Sequence, residues 1–350
     1  MKRRSFIQKT SSGLLGMGVT SQGGKIETRE CDEKLSLQGY VTMDENRVNY
    51  YSSAVRQSLK IILATDTHLG MNDERGDPYR KYSDRMAKAY NQTSHFKTGE
   101  PTNPQESFRH VVQLAKESGA DMLALPGDLF SWPSEAAIEW VQEILDDAGV
   151  PYIFVAGNHD WHYEGMEGSM EDLRATWIEK RLLPLYQGKN PLMAAYDIKG
   201  IRFVAIDNST YQISDEQLAF FRAQVESGLP LVLLVHIPLY APGRPVNYGC
   251  GHPEWGAAAD SIFEIERRPR WPESGHTATT MNFYREVFSA PNLLGSFSGH
   301  IHRPSFEQVN GTPQFVADNN ASGAFLDINL NPLSQDDKKL FSRLTESDKR

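Results

Sequence analysis

The sequence predicts an α/β fold with substantial parallel strand pairing, and three observations predict it. Short apolar runs rich in Ile, Leu and Val alternate along the chain with segments of helical period. Chemically active residues stand just past the ends of those runs, where parallel sheets bind their ligands. The helical segments open at Ser or Pro and stop near Gly, the punctuation expected of helices packed between strands.

The elements follow in order. Residues 25–57 are polar and mixed, and read as a linker that becomes an early strand or edge segment. Residues 60–65 are mostly apolar and end at Asp66, which suits a strand buried on both faces. Residues 122–125 lead to Pro126-Gly127-Asp128, and residues 152–156 to Gly157-Asn158-His159-Asp160. Residues 201–206 lead to Asp207-Asn208, residues 231–235 to His236, and residues 293–297 to Gly299-His300. The last strands fall near 305–309, 313–317 and 324–329. Helices are predicted over 104–118, 134–148, 169–183, 214–227 and, more briefly, 281–289. Ser214 with Gln217 has the form of a capping box, Gln standing where Glu is common. Two stretches break the alternation, near 70–103 and 241–280. Each follows closely on a ligand-bearing strand, so each should rim the site. The domain proper is then 58–330, and 331–350 is a charged peripheral tail.

Composition narrows the function. Of 350 residues 39% are hydrophobic, which suits a soluble globular chain. Net charge is −9, which argues against nucleic acid as a partner because that needs a basic face. An anionic substrate remains compatible, since bound metal ions can dominate the local charge. The two cysteines, Cys31 and Cys250, rule out a disulfide framework and read as unpaired thiols. Residues 1–24 read as an address: Arg3-Arg4-Ser5-Phe6-Ile7 and the weakly apolar stretch behind it resemble a twin-arginine export signal, which implies an extracytoplasmic or periplasmic destination. No segment approaches the length of a transmembrane span. Oligomeric state is not legible.

Seven residues carry the chemistry: Asp66, His68, Asp128, Asn158, His236, His300 and His302. Asp66 and His68 are two apart, so in extended backbone both point to one side and can reach one ion; His300 and His302 repeat that spacing. Gly157 and Gly299 allow tight turns at strand ends. Asp128 offers two oxygens that can bridge two ions, and an ion pair roughly 3.5–4 Å apart can clamp both oxygens of an in-line displacement. Mixed N and O donors suit two divalent ions, with Mn, Fe and Zn alike acceptable. No Gly-x-Ser-x-Gly or Cys-x5-Arg nucleophile motif is present.

These blocks, Asp66-Thr67-His68, Gly127-Asp128, Gly157-Asn158-His159-Asp160, His236 and Gly299-His300-Ile301-His302, together resemble the calcineurin-like metallophosphoesterase superfamily over about residues 59–328. The resemblance implies two packed mixed β-sheets flanked by helices, an αββα sandwich. It implies that Asp66, His68 and His302 bind one metal, that Asn158, His236 and His300 bind the other, and that Asp128 bridges. It further implies hydrolysis of phosphoric mono- or diesters by a metal-bound hydroxide, with His159 as general acid and Asp160 orienting it. Ser131 stands where purple acid phosphatases carry a tyrosine ligand, so no coloured iron–tyrosinate centre is expected.

Arg244 and Arg303 are candidates for binding the phosphate or its substituent, and the substrate is expected to be a small or medium phosphate ester. His252 and His276 are weaker candidates for substrate contact. Tyr240 and Trp255 suit packing better than ring stacking. The alternative functions are a non-catalytic scaffold of the same fold, which usually loses ligands, and a metal-dependent amidase, against which Gly157-Asn158-His159-Asp160 argues.

Overall fold

The computed structural model describes residues 39–87, 94–256 and 275–347. The export segment, Cys31, Trp271 and parts of both irregular stretches lie outside the described residues. The strands are β1 (Gly39–Asp44), β2 (Arg47–Ser52), β3 (Leu59–Leu63), β4 (Met122–Pro126), β5 (Tyr152–Val155), β6 (Met193–Ile198), β7 (Ile201–Ile206), β8 (Leu231–Leu234), β9 (Leu293–Ser298), β10 (Ser305–Val309), β11 (Thr312–Val316) and β12 (Leu326–Pro332). They form two six-stranded sheets, ordered β1-β2-β12-β3-β4-β5 and β10-β11-β9-β8-β7-β6. Each sheet is mixed. β3, β4 and β5 run parallel in the first, as do β7, β8, β9 and β11 in the second.

The period-2 geometry of a strand divides its side chains between two cores. Leu59, Ile61 and Leu63 of β3, with Met122 and Ala124 of β4, join Phe203, Val232, Leu234 and Phe297 in a core between the sheets. Their alternate neighbours, Ile62, Leu123 and Leu125, face a second core shared with helices α2 (Pro104–Glu117) and α3 (Glu135–Ala148). α2 presents Phe108, Val111, Val112 and Ala115, spaced as the sequence predicts. Ser134 caps α3 by accepting from Ala137 N, and Gly149, at φ 67°, ends it. The remaining helices are α1 (Arg80–Met86), α4 (Met170–Trp177), α5 (Asp215–Glu226), α6 (Ala278–Val287) and α7 (Gln335–Ser347). Among the described residues, no helix is long and apolar enough to cross a membrane.

Several elements depart from the expectations. The early strand or edge segment expected at the end of the linker is a whole hairpin, β1–β2 over residues 39–52, with β1 at the sheet edge. β6 went unpredicted; it pairs with β7 across a Lys199-Gly200 turn with both residues at positive φ. The helix expected over 169–183 stops at Trp177 and continues as a π turn (Ile178–Leu182) and a 3-10 turn (Leu183–Tyr186). There the buried Arg181 guanidinium lies over Tyr79 and Trp177 and bonds Tyr163 Oη and the Pro133 carbonyl, and Pro184 withholds an N–H from the α ladder. β12 runs on to Pro332 because it is an interior strand between β2 and β3, and the tail beyond forms α7.

Candidate dinuclear metal centre

All seven chemistry-bearing residues lie on loops that leave β3, β4, β5, β8 and β9 at their carboxyl ends. Backbone bonds carry strand pairing into those loops. Asp66 N–H donates to Gly127 O, His68 N–H to Asp128 O, and Gly299 N–H to His236 O. The donor atoms gather in two clusters, Asp66–His68–His302 and Asp128–His236–His300, each with its atoms within 4.8 Å of one another. In the first, His302 Nε2 lies 3.3 Å from Asp66 Oδ1 and 3.0 Å from His68 Nε2. In the second, His236 Nε2 lies 3.1 Å from Asp128 Oδ2. Asn158, buried, lies beside them and lines the same cavity as Asp128, His159, His300 and His302.

The expected extended backbone is absent. Asp66, His68, Asp128, His300 and His302 have φ of 54°, 52°, 50°, 73° and 49°, all left-handed. His300 and His302 join different clusters, as the family resemblance implies, and not one ion as their spacing in extended backbone would allow. Asp and His tolerate this region better than most residues. Each such residue still costs on the order of 1–3 kcal/mol, the kind of strain that gathers at working sites.

A family model for calcineurin-like phosphoesterases matches residues 59–304. The chain belongs to the calcineurin-like phosphoesterase family. Among curated proteins it is 22% identical over 211 residues to a "Probable cyclic nucleotide phosphodiesterase" of Psychrobacter arcticus, covering 59% of this chain and 66% of that one. It is 29% identical over 133 residues to a similarly named Synechococcus protein, covering 35% of this chain and 44% of that one. The chain thus spans less than two thirds of the length of either relative. Among solved structures it is similar to a dimetal phosphatase from Danio rerio, at 13% identity and a TM-score of 0.47, covering 76% of this chain and 91% of that one.

The donor set of this calcineurin-like chain fits cations, on the evidence of its buried polar atoms. Asp66 Oδ2 accepts from Thr65 Oγ1 and His300 N–H at 2.9 and 2.8 Å, while its buried Oδ1 makes no aligned hydrogen bond. His236 Nδ1–H donates to the Pro126 carbonyl at 2.9 Å, which turns Nε2 inward. Nε2 is within ion-pair reach of Asp128 yet lacks hydrogen-bond alignment. Asn158 Oδ1 is also buried without a hydrogen-bond partner. Buried polar atoms left this way need an explanation, and ligation supplies one.

The side chains themselves set the protonation tendencies. Burial raises the Asp128 carboxyl, but the imidazoles of His236, His159 and His68 outweigh it and hold it well below its usual range. Burial pulls His236 down, whereas Asp128 and Asp66 lift it, to about 10. Burial, then the neighbouring His302, holds His68 well below an ordinary imidazole. Burial opposes a raised value at His302, which Asp66 imposes.

Other expectations need correction. The glycines owe their place to close approach and not to turns: a Cβ on Gly157 would stand 2.2 Å from Asp128 Oδ1, and one on Gly299 would stand 2.2 Å from Asp66 Oδ2. Asp160, expected to orient His159, accepts from the backbone N–H groups of Asp128, Phe130 and Gly157 at 2.9, 2.8 and 2.7 Å, and so ties two ligand loops together. Burial and the Asp128 charge raise its pKa against those donors. Ser131 donates to the His68 carbonyl at 2.9 Å, bracing the loop from behind.

His159 and both arginines face a cavity of about 540 Å³. Arg244 pairs with Glu307 and lies over the Tyr248 ring, while exposed Arg303 sits on the rim. Of the two irregular stretches, only the second lines this cavity among the described residues; His95, Phe96 and Lys97 of the first line a neighbouring one that shares Pro304. His252 packs on Tyr240 and His276 on Trp255, and neither lines the cavity. Sequence reasoning missed Tyr211, whose hydroxyl bonds His300 Nε2; only its place five residues after a strand end hinted at it.

Proposed function

We propose that this protein hydrolyses small phosphoric diesters at a dinuclear divalent metal centre. Asp66, His68 and His302 would hold one ion, Asn158, His236 and His300 the other, and Asp128 both. Mn, Fe or Zn would serve. The observation that carries this reading is the pair of clusters together with the buried atoms of Asp66, Asn158 and His236 that have no hydrogen-bond partner. When bound, the ions supply Lewis acidity to the phosphoryl oxygens and acidify water toward a pKa of about 7. The chain's own residues do the rest. His159 lines the cavity, its backbone N–H fixed on Asp128 Oδ1 at 2.8 Å, and its ring would protonate the leaving oxygen. Arg303, and Arg244 where Glu307 leaves donors open, would bind the ester's anionic or polar substituent. The names of the two curated relatives support a diester, with cyclic nucleotides the first to try. Residues 1–24 would export the folded chain by the twin-arginine route, a reading supported by Arg3-Arg4 and the apolar stretch behind them.

The test compares bis-aryl phosphate, aryl phosphate and cyclic nucleotides with Mn²⁺ or Zn²⁺ on the full chain and on His159→Ala. We expect the diester to be preferred, and the variant to keep its metal while losing roughly 10²–10⁴-fold in turnover on poor leaving groups. Metal lost together with activity would make His159 a ligand instead. No hydrolysis of any ester with both ions bound would overturn the reading.

A further inference from the structure

We propose that Tyr211 is a positioning residue for His300, and that the irregular stretch after His236 exists in part to hold Tyr211 there through Trp255. The inference rests on the dinuclear reading above and adds a residue to it. Tyr211 lies on the loop after β7, 1% exposed, with its hydroxyl on His300 Nε2. A buried tyrosine hydroxyl needs a polar partner, and here the partner is an imidazole of the second cluster. With Nε2 on Tyr211, a cation held by His300 would take Nδ1; the proton would then sit on Nε2 and be donated to Tyr211 Oη, so the contact sets the ring direction and matches one tautomer.

The loop is anchored where this requires it. Asn208 clamps the residue after His236, donating to Ile237 O at 2.7 Å and accepting from Ile237 N at 3.0 Å. Tyr211 N–H turns back to Asn208 O, and the residue sits at a left-handed φ of 59°. From behind, the Tyr211 ring stacks on Trp255, with centroids 5.1 Å apart and planes at 14°, and Trp255 stacks on His276 at 4.5 Å and 14°. Trp255 is 2% exposed, and its indole N–H is buried without a hydrogen-bond partner. Gly275 leaves no room for a side chain, since a Cβ there would lie 2.4 Å from the Trp255 carbonyl. Among the described residues of the stretch, Trp255 and His276 thus back the Tyr211 ring.

The test uses Tyr211→Phe, which keeps the stacked ring and removes only the oxygen. Full-length wild type and variant, stripped with EDTA, are titrated with Co²⁺ and followed by visible absorption and calorimetry. We expect two equivalents on wild type, and in the variant a second equivalent weakened about 10–100-fold with the first unchanged. Unchanged affinities in the variant would overturn the proposal alone, and so would equal weakening of both equivalents. Fewer than two equivalents on wild type would overturn the dinuclear reading and this proposal with it. Histidine-tautomer NMR of Zn²⁺-loaded wild type reads the same point without a variant. A proton on His300 Nε2 is expected, and one on Nδ1 would overturn the assignment.

Discussion

At the scale of single residues, the site is built by crowding. Asp66, Asp128 and His236 can converge only because Gly127, Gly157 and Gly299 lack a side chain; a Cβ on Gly127 would fall 2.4 Å from the His236 ring. Gly299→Ala makes this measurable. The methyl would displace Asp66 Oδ2 from its bonds to Thr65 and His300 and swing Oδ1 out of the first cluster. Bound metal should fall from two equivalents toward one, with affinity down about 10–100-fold, while circular dichroism stays native. Full metal content in that variant would show that Asp66 does not depend on the close approach.

At the scale of elements, caps and strand ends set where the ligands stand. The capping box at α5 forms as the spacing predicts: Gln217 N donates to Ser214 Oγ, and Ser214 N to Gln217 Oε1. Why Gln occupies the place Glu often takes is answered only in three dimensions. Its buried Nε2 donates to the carbonyls of Leu192 and Asp207 at 2.9 and 2.7 Å, tying α5 to the ends of the β6–β7 hairpin. Gln217→Glu would keep the box but lose both donors, leaving acceptors against acceptors. We expect a loss of about 1–3 kcal/mol, read from the urea midpoint. A midpoint equal to wild type would mean that these two bonds contribute nothing net.

For the whole molecule, the coupling of Asp128 with His236 sets the response to pH and metal. In metal-free protein His236 is raised from 6.5 to about 10, so its contribution to stability is complete below its unfolded value and is lost as pH rises through about 10. Asp128, depressed, contributes above the ordinary carboxyl range and loses its share as pH falls through its lowered value. An ion binding at His236 must displace its proton. Metal uptake should therefore release at least one proton and tighten with pH up to about 10, by about tenfold per pH unit for each proton displaced. Calorimetry in buffers of different ionisation enthalpy checks this, and uptake without proton release would refute it. Metal at about a hundred times its dissociation constant should also add about 2.7 kcal/mol to stability, reversed by EDTA.

Strand runs, helix caps and the residues that converge at the candidate centre were legible from local order and motif. Apolar period, Ser caps and motif spacing depend on neighbours within a few residues, and β3, β4, α2, α3 and α5 needed nothing more. The interior position of β12 and the π turn after α4 were not legible, because each depends on a partner far away in the chain. The same division runs through the site. The residue types came from the chain, and the resemblance of its motif blocks implied the sorting of His302 with Asp66 and of His300 with His236 that the clusters have; the left-handed backbone at Asp66, His68, Asp128, His300 and His302 that carries them came from neither. That backbone exists only because long-range hydrogen bonds and tightly apposed glycines hold it, and no short stretch of sequence encodes either.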